Sequence, residues 1–419
     1  MITFRKAYIL LTASFFFLLA TRGAFFPEDY YLADEANSSD ANIFFLIFWP
    51  MYLALYLAMY WRRTVERART PLSLMLVIAA VVASVVFSEL PDVSIRRASA
   101  LFISLACGLL LVKTAKEPQE IVQALYSGLA PLVLISVAGA LLFPSHAIHY
   151  ASPDLVGDWK GVFSHKNTTA YVAAVVLVIS AHQVKIRGFA LYPTAIFLSS
   201  LILIIKANSL FIIMMTPLCF VTAALLGQRT RASKLYARAV AVSAALILIP
   251  IALLTFYNPR WPEFLGTTLN NRTEIWSTLL SAQAGHELFG HGYGAVHNVG
   301  ENSVFWRYGE WRIQTLGHGH SGQLDVYAAT GILGWIAVNI FLFSTLVRID
   351  LKSQGSSRHQ GIVFAFLAWI VITRSFVESD LLETGRIDWF LCSIAIIALH
   401  RWYHTAPNYS SGPAPNNNE

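Results

Sequence analysis

Charge is the first thing this sequence lacks. Only 13% of its 419 residues are Asp, Glu, Lys or Arg, about half the share of a soluble domain. So few charges cannot clothe a water-facing surface of that size, which excludes a string of ordinary soluble domains. Cysteine is scarce too. Cys107, Cys219 and Cys392 all fall inside apolar runs, and no CxxC or Cys/His ligand spacing occurs. Neither a disulfide framework nor a zinc site is suggested. There is no internal repeat, no heptad pattern and no Gly-x-x-x-x-Gly-Lys phosphate loop. No small-x-small cleavage site follows the first apolar run. That run therefore reads as a retained transmembrane helix rather than a signal peptide.

What is present is hydrophobic residues, 56% of the total. They gather into recurring runs of about 20, the length that crosses a bilayer. The hydropathy predicts about twelve helices, at roughly 7–26, 42–61, 71–88, 97–112, 121–143, 168–184, 188–205, 209–227, 239–257, 323–347, 361–377 and 387–403. The expected fold is all-α: a polytopic membrane protein with one large, partly helical periplasmic loop. The net charge of +6 invites a nucleic-acid reading. The basic residues lie in short breaks between spans, not on one polar face, so nucleic acid is rejected and membrane lipids are the expected surroundings.

Lysine and arginine set the sidedness. With the N-terminus inside, the inner segments are 1–6, 62–70, 113–120, 185–187, 228–238, 348–360 and 401–419. They hold 18 of the 30 Lys and Arg but five of the 24 acids. The opposite orientation puts the RRTVERAR and QRTRASKLYAR loops outside, against the positive-inside rule. Both termini are then cytoplasmic. The chain divides into helices one to nine over 1–257, a large periplasmic loop over 258–322, helices ten to twelve over 323–405, and a polar, disordered tail over 406–419. A loop of that length is longer than a connector needs, and such loops are often functional. Its NNRTEIWSTLLSAQ stretch has helical apolar spacing at Ile275, Leu279, Leu280 and Ala282, which predicts an amphipathic helix at the interface. Trp261, Trp276, Trp306 and Trp311 suit the headgroup level.

An ionisable residue in or beside a membrane is costly and is a functional candidate by default. Lys206 lies in LILIIKANSLFIIMM, at the outer end of the seventh span. It is either a snorkelling lysine or a cation aimed at an anion on the outer surface. Arg374 is similar, with Glu378 at i+4, and a salt bridge explains that pair equally well. Arg272 stands in the first turn of the loop helix, where its fork can meet a phosphate or a lipid headgroup. Lys166 and Asn167, in GVFSHKNTTA, begin the sixth span. A helix start offers free N–H groups to an anion, and Asn167 serves equally well as an N-cap.

The histidines come last. His318 and His320 are two apart, so they share a face only on an extended segment. A metal site there lacks an obvious third ligand; His286, His291 and His297 lie in the same loop without a recognisable pattern. His286, His297 and His318 read as water-exposed loop residues. His320 sits where the loop returns to the bilayer, ahead of Ser321 as a cap. An imidazole there can take a proton near neutral pH. Asp325, one turn on, orients it or caps the helix dipole.

On these segments the chain resembles the O-antigen ligase and Wzy-type polysaccharide polymerase superfamily, with its nearer likeness to exopolysaccharide polymerases of the ExoQ kind. The likeness rests on GVFSHKNTTA, IIKANSLF, NRTEIW with LFGHGYG, HGHSGQLDVYAATGILG, and more weakly TRSFVESDLL. The resemblance implies a metal-independent, inverting glycosyltransferase without cofactors. Its donor is an undecaprenyl-diphosphate glycan, and its acceptor a lipid-linked repeat unit or lipid A-core. A chain-length regulator is a further partner. The family's histidine, arginine and basic residue fall on His320, Arg272 and Lys206. Lysine at 206 looks more like the polymerase branch. Ser321 stands where relatives carry asparagine. The expected roles are His320 as base, Arg272 and Lys206 holding the diphosphate, Lys166 and Arg374 beside them, and Asn167, Asp325 and Glu378 in support. The rivals are an O-antigen ligase with the same chemistry and, in another class, a lipid-linked sugar flippase.

Overall fold

A computed structural model of the chain describes residues 3–21, 40–62, 70–150, 155–226, 272–311, 313–349 and 357–403. Among the described residues the helices are α1 (Phe4–Ala20), α2 (Asp40–Trp61), α3 (Leu72–Val86), α4 (Pro91–Thr114), α5 (Pro118–Leu142), α6 (Pro144–Ala147), α7 (Lys166–Arg187), α8 (Leu191–Lys206), α9 (Leu210–Leu226), α10 (Arg272–Ser281), α11 (Val304–Tyr308), α12 (Gly322–Arg348), α13 (Arg358–Arg374) and α14 (Ile387–Tyr403). No strand occurs among them; isolated bridge positions are all that is present, including the pair Ile148 and Trp159. The protein is an all-α membrane protein.

Local chemistry sets where the helices start. Pro91 and Pro118 open α4 and α5 at the first-turn position, where the missing N–H costs nothing and φ is preset. Ser321 caps α12, its Oγ accepting from the N–H of Leu324. Pro50, Pro131 and Pro217 lie inside α2, α5 and α9, as spanning helices tolerate when neighbours satisfy the freed carbonyl.

The bundle is built outward from α13 and α14, which pack on each other. Val363–Ile372 and Ile387–Leu399 are buried without a break, as expected of helices apolar on every face. α14 also packs on α4 and α12, and α13 on α9. Peripheral helices turn large apolar side chains outward: Leu72, Leu76 and Val86 of α3, Ile205 of α8, Met214 and Leu218 of α9. Apolar both inside and out is what lipid as solvent requires. Pro91–Thr114, Pro118–Leu142, Lys166–Ile186 and Gly322–Val347 are long and apolar enough to cross a membrane, and four shorter apolar helices accompany them.

Eleven of the twelve expected spans fall on these helices. The twelfth, 239–257, lies outside the described residues, as do Trp261 and the tail. One expectation needs correction. The span at 323–347 is not a continuous helix. Gly331 breaks it with φ 66° and ψ −170°, and a Cβ there would lie 2.2 Å from the carbonyl carbon of Leu288. The loop backbone passes against the break, and the N–H of Ile332 donates to the carbonyl of Glu287 at 2.8 Å. The groups freed by the break are thus satisfied from the loop.

Polar contacts collect at the two ends of the bundle. One end joins 87–97, 143–166, 206–209, 272–321 and 375–388. The other joins Arg5 to Glu117 and Glu120, Lys113 to Thr70, Arg401 to the carbonyl of Val112, and Tyr403 to the carbonyl of Ser357. Among the described residues, the segments joined at the first end are ones the charge count puts outside, and Arg5, Lys113, Glu117, Glu120 and Arg401 at the second are ones it puts inside.

Candidate active site

α10 is the scaffold of the large loop. Its Ile275, Trp276 and Leu279 pack with Ala282, Val296, Val304, Phe305, Ile313 and Ala328 in a small second core. The apolar spacing of the sequence thus builds a loop core. Trp276 is buried in it, its indole N–H donating to the carbonyl of Gly319 at 3.0 Å, so it is not the headgroup anchor expected. Trp306 and Trp311 are exposed.

Glu378 is the hub that joins the distant motifs. Its Oε1 lies 3.6 Å from Arg272 Nη2 and accepts from Asn167 Nδ2 at 3.2 Å. Asn167 Oδ1 in turn accepts from Ser209 Oγ at 3.0 Å, three residues past Lys206. Arg272 Nη1 also donates to the carbonyl of Val377 at 2.5 Å. The turn after α13 does a second job. The carbonyls of Glu378 and Ser375 accept from the first-turn N–H groups of Gly322 and Gln323, which no helix can satisfy by itself. α10, α7 and the start of α12 are therefore locked to one short turn.

His320 enters this arrangement with φ +51°, a conformation that L residues with side chains seldom adopt. Its ring meets that of His318 edge to face at 4.2 Å, and Nδ1 of each ring has no hydrogen-bond partner. Burial lowers the pKa of His320, the Arg272 charge lowers it further, and Glu378 and Asp325 partly offset both. Burial and the neighbouring His320 bring His318 down to about 3. Both rings are neutral at pH 7, so each has a lone pair able to accept a proton. His318, expected as an exposed loop residue, is instead half-buried.

Asp325 does not touch His320. Its Oδ1 accepts from His297 Nε2 at 2.9 Å and from the N–H of Gly319 at 3.0 Å. It holds the backbone between the two histidines. A Cβ at 319 would lie 2.4 Å from that oxygen, so the glycine allows the approach. His297, expected in water, is stacked on Phe305 and bonded to Asp325.

Two more expectations change. The cap of α7 is His165, not Asn167: His165 Nδ1 accepts from the N–H of Asn167 at 3.1 Å, and His149 Nε2 from the N–H of Lys166 at 3.3 Å. Burial and His149 drive His165 down to about 3, which keeps the ring an acceptor. Those two N–H groups are therefore not open to an anion. Lys166 Nζ is 2.5 Å from Asp158 Oδ2. Arg374 is 1% exposed, between Asp380 at 3.2 Å and Asp388 at 3.3 Å, with its charge over the ring of Tyr171. It does not pair with Glu378 through its side chain, because its guanidinium turns into the bundle. Arg386 closes the same cluster.

Lys206 differs from both. It is exposed, with the ring of Trp159 at 6.0 Å from its Nζ. Among the described residues no carboxylate pairs with it. The connection after α5 lies across its backbone, Trp159 N–H donating to the carbonyl of Lys206 at 3.0 Å.

Residues 194–339 match the family of O-antigen ligases. The matched stretch is about a third of the chain. It contains Lys206, Arg272, His320 and Asp325; Lys166, Asn167, Arg374 and Glu378 lie outside it. A comparison with curated proteins returns no match. The match supports a membrane enzyme of the O-antigen ligase or polymerase type, with lipid-linked glycans as the substrate class. In the O-antigen ligase region the cations and the histidine come from α8, α10 and the start of α12. The residues that lock them together, Asn167 and Glu378, come from elsewhere in the chain. No sequence pattern pairs them.

Proposed function

We propose that this protein transfers glycan from an undecaprenyl-diphosphate carrier to a second lipid-linked glycan, as a polymerase, at the periplasmic face of the bacterial inner membrane. The observation that supports it is the juxtaposition of a half-committed guanidinium, Arg272, with a neutral imidazole, His320, whose Nδ1 is unbonded. The acceptor hydroxyl attacks the anomeric carbon opposite the leaving diphosphate. His320 takes the hydroxyl proton as the new C–O bond forms. The old C–O bond breaks, and its electron pair leaves on the diphosphate. Arg272, with donors beyond those engaged by Val377 and Glu378, and the exposed Lys206 hold that charge without a metal. Inversion follows from a single displacement.

Lys166 and Arg374 are left out of the diphosphate site, since each is already paired with carboxylates. They act as scaffold. The donor's polyprenyl chain lies along the outward apolar side chains of the bundle, which is why the reactive groups stand at a helix mouth. The matched family favours a second reading, a ligase with lipid A-core as acceptor; donor chemistry and residue roles are the same.

The test is turnover of a lipid-linked donor in membranes carrying variants. Arg272→Ala loses about 10²–10³ of the rate, and His320→Ala about 10²–10⁴, with insertion unchanged. Unreacted donor then accumulates on the outer leaflet. If it fails to reach that leaflet, the flippase reading wins. Full product from either variant removes that residue from the site.

A further inference from the structure

A second cluster of titratable groups lies at the same end, away from Arg272 and His320, and the reaction uses none of it. Glu89 stands in the turn between α3 and α4. His286 and His291 lie in the loop that follows α10. Glu89 Oε1 is 3.2 Å from His286 Nε2, and Glu89 Oε2 is 3.2 Å from His291 Nδ1. The three side chains offer ligand atoms that all lie within 4.8 Å of one another. The two imidazole rings stack at 4.2 Å and 27°.

The proton positions make this cluster unusual. His291 is fully buried, and its Nε2 lies 3.1 Å from the carbonyl oxygen of Ala282. A carbonyl only accepts, so the ring proton sits on Nε2. The lone pair of Nδ1 then points at a carboxylate that also only accepts, and that nitrogen has no hydrogen-bond partner. A second ring proton or a cation between the two groups resolves the conflict. We infer that Glu89, His286 and His291 bind a divalent transition metal of the zinc class, as a clamp that fastens the large loop to the turn between α3 and α4.

The donor set and spacing agree. Two imidazole nitrogens and one carboxylate oxygen suit zinc and its neighbours rather than magnesium or calcium. In a tetrahedral site with bonds of about 2.1 Å the ligand atoms stand about 3.4 Å apart; His286 Nε2 and Glu89 Oε1 are at 3.2 Å, and all three ligand atoms lie within 4.8 Å, so a small closing movement completes the site. Water would fill the fourth position, since Glu89 and His286 keep 26% and 29% of their side-chain surface exposed. Arg307 Nη2 already lies 2.5 Å from Glu89 Oε2, which leaves Oε1 as the better ligand atom and balances the carboxylate charge.

The backbone shows what a clamp would hold. The N–H of Glu89 donates to the carbonyl of His291 at 3.1 Å, and the N–H of His291 donates to the carbonyl of Ala328 at 2.9 Å. The metal would thus tie α3 and α4 to the half of α12 that precedes the Gly331 break. His297 and Asp325, which hold the backbone beside His320, sit on the tied segments. The role is structural, and it does not rest on the proposed transfer reaction.

The test uses the full chain in detergent, purified without a polyhistidine tag and stripped with chelator. Zinc is titrated back and counted by elemental analysis, and cobalt(II) serves as an optical probe. We expect one zinc per chain, a visible cobalt spectrum of tetrahedral type, and a rise in Tm on metal addition. Glu89→Gln and the half-exposed His286→Ala each weaken zinc affinity by more than about 100-fold and lose the Tm response, while still eluting as folded chain. No zinc retained by the native chain, or equal zinc in both variants, overturns the clamp. Arg307→Gln keeps the stoichiometry; if it abolishes binding instead, zinc is held through the arginine-bound carboxylate and the clamp as described is overturned.

Discussion

Two groups of arginines stand within reach of the same turn, and they are built in opposite ways. Arg374 and Arg386 share Asp380 and Asp388, and Arg374 is 1% exposed. Arg272 keeps 24% of its side-chain surface and faces one carboxylate at 3.6 Å. A guanidinium fixed between two carboxylates has its charge balanced and its donors spent. It holds the bundle together, and removing it leaves two buried acids to share one arginine. A guanidinium with one loose partner still has charge and donors to give to a ligand. Both arginines flank polar turns at one end of apolar helices, and hydropathy treats them alike. Only their partners separate scaffold from site.

That contrast can be broken most violently at Arg374. Arg374→Ala leaves Asp380 and Asp388 with Arg386 alone in the bundle and costs about 3–5 kcal/mol; folded protein recovered from membranes should fall sharply. Normal yield with lost turnover would instead move Arg374 into the site. Arg272→Ala gives the reverse pattern, normal yield and lost turnover. The next effect is on pH dependence. His320 has its pKa lowered by burial and by Arg272, so kcat/KM rises with pH through a value below about 6.5 and is flat above it. Glu378→Gln removes a charge that raises that pKa and shifts the acid limb lower. Arg272→Gln shifts it higher. The same shift in both variants, or none, shows that another group titrates. The smallest effect is at Lys206. Exposed and without a described carboxylate partner, it should cost about tenfold in kcat/KM on change to Ala, or about 1.4 kcal/mol, with unchanged Tm. Lys206→Arg should restore most of it.

Much of the fold was legible because a span is a local sum. Each apolar run carries its own evidence, and Pro91, Pro118 and Ser321 mark starts that the helices obey. The polar residues beside the spans could be nominated for the same reason, since a charge near lipid is costly wherever it lies. Their partners could not. Arg272 meets Val377 across 105 residues, and Asn167 meets Glu378 across 211. Spacing along one helix offers Asp325 either to His320 or to the helix dipole, yet the backbone turns at His320 and His297 and the N–H of Gly319 meet the carboxylate. The exposed-loop reading of His297 and His318 failed in the same way, while His286 stays half-exposed. Loop histidines are judged by the water around a sequence, whereas here a small second core forms beneath them.

The sequence alone determined the all-α membrane architecture, the number and placement of the apolar helices that are described, and the set of polar residues worth testing. Those follow from transfer of side chains between water and lipid, a property that each segment has by itself. The tertiary structure decided which cation is free and which is spent, where α12 breaks, which group caps α7, and that Glu89 meets two histidines nearly 200 residues away. Those depend on hydrogen bonds and ion pairs between distant segments, and such pairing exists only once the helices have packed.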